Sequence, residues 1–391
     1  MARFKNLLSG SLLIAGTSIG AGMLGIPLIT GQAGLKPALL ITVVTWIYML
    51  MTGLLFLEVT LWMPKGSNVL SMAKRFLGPK GQWISGAMFI FLYYCLMVAY
   101  FAAGAPLLGD VLHLPTSGWM LYFVFGLIFG TIVAIGPKSV DRANILLTIS
   151  MVVAFFLLIG LGANSVIVSR LEFSNWKPLL FAPPFLFSAF GFHNIIPPLA
   201  GYLKRDVKTL CLSIFIGTFI PLLFYSLWQW LIIGSIPQDV LMSTLAKGAP
   251  VTSALQKVSG HPMLKLIGAC FALFAIVTST IGVSFSLVDF LGDGLKAART
   301  GLSRIGLAFL TFAPPFLCTV LDPTIFDKAL SIAGGFGEAF LNGFLPVALV
   351  WVGRYRHGIK GKPLLFGGRI LLFILLIGSI LTAIFEILYL I

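Results

Sequence analysis

The sequence predicts an all-α integral membrane protein: eleven transmembrane helices, arranged as a 5+5 inverted repeat with one extra C-terminal helix. Three observations predict it. Hydrophobic types make up 59% of 391 residues and charged types only 10%, whereas a soluble chain uses about 25% charge to cover its surface. Eleven stretches are apolar enough for helices that need roughly 20 such residues to cross a bilayer. They are 7–30, 38–61, 82–108, 118–136, 143–163, 179–202, 209–233, 262–291, 303–321, 325–352 and 369–391. The first and the sixth are interrupted alike. Runs such as Ala38 to Val44 do not alternate polar with apolar residues, so a barrel is excluded. The chain reads as one transport domain over 1–391, with repeat one at 7–163, repeat two at 179–352 and helix 11 at 369–391.

The cations give the orientation. Nineteen of the 26 Lys and Arg, among them Arg3, Lys5, Lys65, Lys74, Arg75, Lys138, Arg142, Lys204, Arg299, Arg354, Lys360 and Lys362, fall on one side. The other side holds Lys36, Arg170, Lys177, Lys247, Lys257, Lys265 and Lys328. The positive-inside rule makes the first side cytoplasmic, with the N-terminus inside and the C-terminus outside. The net charge of +14 then reports topology and anionic lipid, not nucleic acid. A signal peptide also fits Arg3 and Lys5 before an apolar stretch, but that stretch is Gly-rich and its removal breaks the span count.

Span 1 contains Gly16-Thr17-Ser18-Ile19-Gly20-Ala21-Gly22-Met23-Leu24-Gly25-Ile26-Pro27. In a helix Gly costs about 1 kcal/mol and Pro about 3 relative to Ala. Unpaired backbone at membrane depth must be buried in protein or line a cavity. A small-residue packing face explains Gly16-x-x-x-Gly20 but not the Gly22, Gly25 and Pro27 that follow, so an unwound segment is expected. Span 2 carries Glu58 toward its cytoplasmic end, either a structural acid bonded to freed N–H groups or a proton-coupling group. In span 3, Tyr93 and Tyr100 are seven apart and share a face. Tyr100 either donates to a substrate carboxylate or packs as an apolar body.

Span 6 reads Phe187-Ser188-Ala189-Phe190-Gly191-Phe192-His193-Asn194-Ile195-Ile196-Pro197-Pro198. It puts Gly, His and Asn at membrane depth before two prolines that cannot donate. A kinked, satisfied core helix is the alternative to a second break. In span 8, Thr278, Ser279, Thr280 and Ser284 are sodium ligands or helix glue. Span 10 places Glu338 mid-membrane within Gly334-Gly335-Phe336-Gly337-Glu338; span 11 places Glu386 near its outer end, read as interfacial. Cys95, Cys211, Cys270 and Cys318 sit inside spans and read as packers. The polar connections near 234–261 and 353–368 are too short to fold alone. No phosphate loop, metal spacing, cofactor signature or nucleophile–base set is present, and of His113, His193, His261 and His357 only His193 lies in a span. An enzyme is not expected.

Interrupted segments at matching places in two halves point to a transporter's binding site. Broken helices offer N–H groups to a carboxylate and carbonyls to a cation or ammonium group. Expected roles follow. N–H groups around Gly20, Ala21 and Gly22 take the carboxylate; carbonyls near Thr17 and Ser188–Phe190 take the ammonium. Phe190 and Phe192, beside Gly191, form an apolar slot. Glu58, His193 and Glu338 are the ion-coupling candidates. The substrate expected from these residues is a zwitterion or small anion.

The Gly16–Leu24 block, Leu57-Glu58-Val59, Ala73-Lys74-Arg75-Phe76-Leu77-Gly78 and Ser188–His193 together resemble the hydroxy/aromatic amino acid permease family. The resemblance covers nearly the whole chain. It implies a leucine-transporter type of fold, the bacterial inner membrane, and proton-driven uptake of tyrosine or tryptophan. Some proton-coupled relatives carry a lysine in helix 5; Leu146-Leu147-Thr148-Ile149-Ser150-Met151-Val152 has none, so coupling here falls to other groups. A sodium-coupled or uncoupled facilitator is the alternative.

Overall fold

A computed structural model describes residues 2–391 except 115–117, 248–250, 260–261, 299, 360 and 362. His261, Arg299, Lys360 and Lys362 therefore lie outside the described residues, as do the side chains of Lys138, Arg142 and Lys257. The described residues are helical, without strands. In order they form α1 (Ala2–Ser18), α2 (Ile26–Thr30), α3 (Leu35–Trp62), α4 (Val69–Leu112), α5 (Trp119–Ile135), α6 (Pro137–Gly162), α7 (Val168–Glu172), α8 (Ala182–Ala189) and α9 (Ile196–Tyr202). There follow α10 (Val207–Ser235), α11 (Gln238–Ala246), α12 (Val251–Ser259), α13 (Pro262–Leu295), α14 (Gly301–Leu321), α15 (Phe326–Ile332), α16 (Leu345–Trp351) and α17 (Gly368–Leu390).

Each of the eleven expected stretches lies on helix. Among the described residues nine helical runs are long and apolar enough to cross a bilayer, ten if the bent pair Arg3–Ser18 and Ala21–Ala33 is one span. α5, at 17 residues, is apolar but shorter. The 234–261 connection carries two short helices, α11 and α12, which the sequence reading did not place. One expectation needs correction. Span 10 is not an uninterrupted α-helix: Ala333–Phe344 is a π-helix joining α15 to α16. Its glycines explain the close fit there. Gly334 lies flush on the Pro184 carbonyl of α8, Gly335 on Glu386 of α17, and a Cβ on Gly337 would stand 2.8 Å from that of Leu92 in α4.

Local chemistry sets the helix ends. Asn68 caps α4 in a reciprocal box, accepting from Ser71 N–H at 3.0 Å while Ser71 Oγ accepts from Asn68 N–H at 2.9 Å. Asp206 caps α10, accepting from the Thr209 hydroxyl at 2.7 Å. α1 ends at Ser18, and Gly20 is extended (φ −169, ψ −150) before a 3₁₀ turn over Ala21–Leu24. The chain then re-enters helix in α2, the two parts inclined by 53°. α8 ends at Ala189; α9 begins after a 3₁₀ turn over His193–Ile195, with Pro197 and Pro198 in a first turn that needs no donor.

α1 packs on α10, and α3 on α8, α9 and α10. α4 packs on the π-helix and α13, α6 on α13, and α5 on α14. The Ala21–Leu24 turn and α2 both pack on α8, while α17 lies against the π-helix. Large apolar side chains such as Leu40, Phe123, Phe309 and Phe373 point outward, where lipid is the solvent.

Candidate functional site

The end of α1 before the first break and the second break itself border one cavity of about 690 Å³, its open mouth included. Thr17 borders it from α1, Phe56 from α3, Phe89, Tyr93 and Tyr100 from α4, and Ser188, Gly191, His193 and Asn194 from the second break. Glu338 and Asn342 border it from the π-helix. Among the described lining residues Glu338 is the one acid, and none is Lys or Arg.

Glu338 is placed by the glycine opposite. A Cβ on Gly191 would stand 2.5 Å from Glu338 Oε1 and 3.1 Å from Oε2, so the bare backbone of the break makes room for the carboxyl. Asn342, one turn along, donates to Oε2. Asn194 Nδ2 donates to the Tyr93 hydroxyl at 2.9 Å, and Tyr93 stacks on Phe89 with centroids 4.1 Å apart. His193 is buried, its Nε2 3.0 Å from Thr52 Oγ1; Nδ1 has no hydrogen-bond partner among the described residues.

A residue unforeseen in the sequence joins the breaks. Tyr225 of α10, wholly buried, places its hydroxyl 2.7 Å from Ser18 O and 2.7 Å from Ala189 O. These are the last residues of α1 and α8. One hydroxyl carries one proton, so two carbonyls share a single donor. A tyrosine inside an apolar run gives no sequence signal of this. Ser279 of α13 adds a second tie, its Oγ accepting from Ala21 N–H at 3.1 Å.

Of the expected substrate residues, Thr17, Tyr100, Ser188, Gly191 and His193 border the cavity. Gly20, Ala21 and Gly22 do not: they are buried, and a Cβ on Gly22 would stand 3.0 Å from Ala189 Cα. The Ala21–Leu24 turn of the first break is thus closed against α8. Phe190 and Phe192 do not form a slot. Phe190 packs edge-on to Tyr225 (5.0 Å between centroids), and Phe192 covers Gly53 and the His193 ring. The rings facing the cavity are Phe56, Phe89, Tyr93 and Tyr100.

Glu58 stands apart from the cavity. Arg354 clasps it with Nε 2.7 Å from Oε1 and Nη2 2.6 Å from Oε2, and Leu364 N–H donates at 2.9 Å. Glu386, near the end of α17, is fully buried against the rest of the bundle. In α13 the hydroxyls of Thr278, Ser279, Thr280 and Ser284 donate to carbonyls of their own helix. No group of three or more His, Cys, Asp or Glu that could hold a metal is found among the described residues. Aromatic walls and one carboxyl suit a ring-bearing cationic or zwitterionic ligand.

The chain matches the tryptophan/tyrosine permease family over residues 3–385. It is 32% identical to tyrosine-specific transport system 1 of Haemophilus influenzae, over 96% of this chain and 95% of that one. It is 31% identical to the tryptophan-specific transport protein of the same organism, over 98% and 96%. The tyrosine permease of Enterobacter agglomerans is 28% identical over 84% and 83%.

Proposed function

The chain belongs to the tryptophan/tyrosine permease family, and from that premise we propose that it imports tyrosine or tryptophan across the bacterial inner membrane by proton symport with alternating access. The observation that carries this is the Glu338 carboxyl set against the Gly191 break, inside a cavity that both broken helices reach. The substrate ring lies among Phe56, Phe89, Tyr93 and Tyr100. Its ammonium group meets Glu338 and the carbonyls at the break, and its carboxylate meets the Tyr100 hydroxyl. Glu338 and His193 exchange the coupled proton; Glu58, locked to Arg354, holds the cytoplasmic end together.

Packing supports an inverted repeat with eleven spans, α1 and α2 forming the first and α5 lying at the short end of the spanning range. Numbered as spans, contact 1–7 recurs as 6–2, and 3–10 recurs as 8–5. Contacts 1–6, 2–7, 3–8 and 4–9 map onto themselves when the halves are exchanged. With the N-terminus cytoplasmic, the cavity opens inward: Thr17 and Asn194 are exposed, while residues 18–31 are buried against the rest of the bundle. This exposure pattern supports an inward-facing state.

Reconstituted protein should accumulate labelled tyrosine or tryptophan when an inward proton gradient is imposed, and Glu338→Gln should abolish the accumulation. Uptake that ignores pH and requires sodium would reject proton symport.

A further inference from the structure

The outer half of span 10 carries buried polar side chains that the substrate cavity does not use. Asp327 is 7% exposed and Ser331 is buried. Across from them Glu386 of α17 is 0% exposed, and Ser331 donates its hydroxyl to Glu386 Oε2. Gly335 lets the acid lie flat on the helix, since a Cβ there would stand 3.1 Å from Glu386 Cδ. Glu386 Oε1 has no hydrogen-bond partner among the described residues. The contrast is Glu58, a buried acid fully engaged by Arg354.

The titratable groups on the elements packed against α17 are few. The span-10 segments contribute Asp327, Lys328, Glu338, Arg354, Tyr355 and Arg356, of which the last three lie at the cytoplasmic end. The short turn before α8 contributes Lys177, and α3 contributes Lys36, Tyr48 and Glu58; α8 and α16 have none. Lys328 and Lys177 are exposed. On α17 itself stand Arg369, at the far end, and Tyr389. No basic group pairs with Glu386 among the described residues.

Ionisable groups at membrane depth are rare and mark proton relays. Asp327, Ser331 and Gly335 follow one another at spacings of four, and Ser331 and Gly335 are the positions that meet Glu386; Glu338 lies three residues further on, in the π-helix, against Gly191. We propose that Glu386 is the outer proton-loading group of the transport cycle, taking a proton from the external side by way of Asp327 and passing it through the Ser331 hydroxyl toward Glu338. Ser331 accepts one proton and releases its own; Glu386 is left as carboxylate and Glu338 becomes the acid. Ser331 and Glu338 are separated by roughly two turns, so the last transfer occurs when the outward-open state lets water in beside Gly335. The inference rests on proton symport.

The experiment compares wild type, Glu386→Gln and Ser331→Ala in proteoliposomes. It records gradient-driven tyrosine or tryptophan uptake, substrate-dependent proton entry with an internal pH dye, and counterflow without a gradient. In Glu386→Gln, proton entry and driven uptake should fall roughly a hundredfold, the scale of a lost proton-transfer group, while counterflow persists. Ser331→Ala should slow proton entry in the same direction, and it serves if Glu386→Gln fails to insert. Proton entry at the wild-type rate in either inserted variant overturns the relay. Wild-type uptake that ignores the gradient overturns symport itself, and is seen before any substitution is made.

Discussion

At Tyr225 one hydroxyl proton is divided between Ser18 O and Ala189 O. Tyr225→Phe strips both buried carbonyls of that donor, which costs roughly 1–3 kcal/mol. Lower thermal stability in detergent, with slower transport, is the expected outcome; an unchanged melting temperature would show that the bridge contributes nothing. Gly191 is the second decisive position. Gly191→Ala puts a methyl 2.5 Å from Glu338 Oε1, so the carboxyl must move and uptake should be lost in a protein that still inserts. Normal uptake would detach Glu338 from the break. The glycines and prolines of both interruptions were legible in the sequence, because such residues at membrane depth need a special reason. The directions of Phe190 and Phe192 were not, because helical periodicity stops predicting side-chain orientation once the helix unwinds. Tyr225 was hidden for the opposite reason: in regular helix it reads like any packing residue.

Helix ends and breaks were easier to read than helix interiors. Asp206 caps α10 from outside the span, and the Thr209 hydroxyl, then its N–H, then the nearby Arg3 hold its carboxyl below the usual range. A depressed folded-state pKa gives stability that is present above the unfolded value and lost as pH falls through the folded one. The melting-temperature gap between wild type and Asp206→Ala should therefore be full at neutral pH and shrink well below pH about 4, the ordinary Asp value. A gap independent of pH would remove the charge from the cap. The π-helix of span 10 lay beyond sequence reading, although its glycines were noticed, because Gly334, Gly335 and Gly337 each answer to a different neighbouring helix. The burial of Glu386 was hidden for the same reason: it depends on where α17 docks.

For the whole molecule, composition and charge distribution carried most of the information. A chain with 59% hydrophobic residues and 10% charge has lipid as its solvent, and among the described residues nine helical runs, ten with the bent pair, are long and apolar enough to cross it. The paired packing of spans, 1–7 with 6–2 and 3–10 with 8–5, came only from tertiary structure, since one sequence does not reveal which faces meet. Residues 18–31 are buried while Thr17 and Asn194 are exposed, so the cavity opens on one side of the first break. Thr17 faces its mouth, and among the described residues its hydroxyl bonds to its own helix, at Leu13 O, so a cysteine there reports on occupancy with little disturbance. The most direct test is the labelling rate of Thr17→Cys, in a protein freed of its four native cysteines, by a thiol reagent applied from the cytoplasmic side. Tyrosine or tryptophan should slow the reaction while lysine leaves it unchanged; a rate that no aromatic amino acid alters would mean that the substrate does not bind between the two breaks.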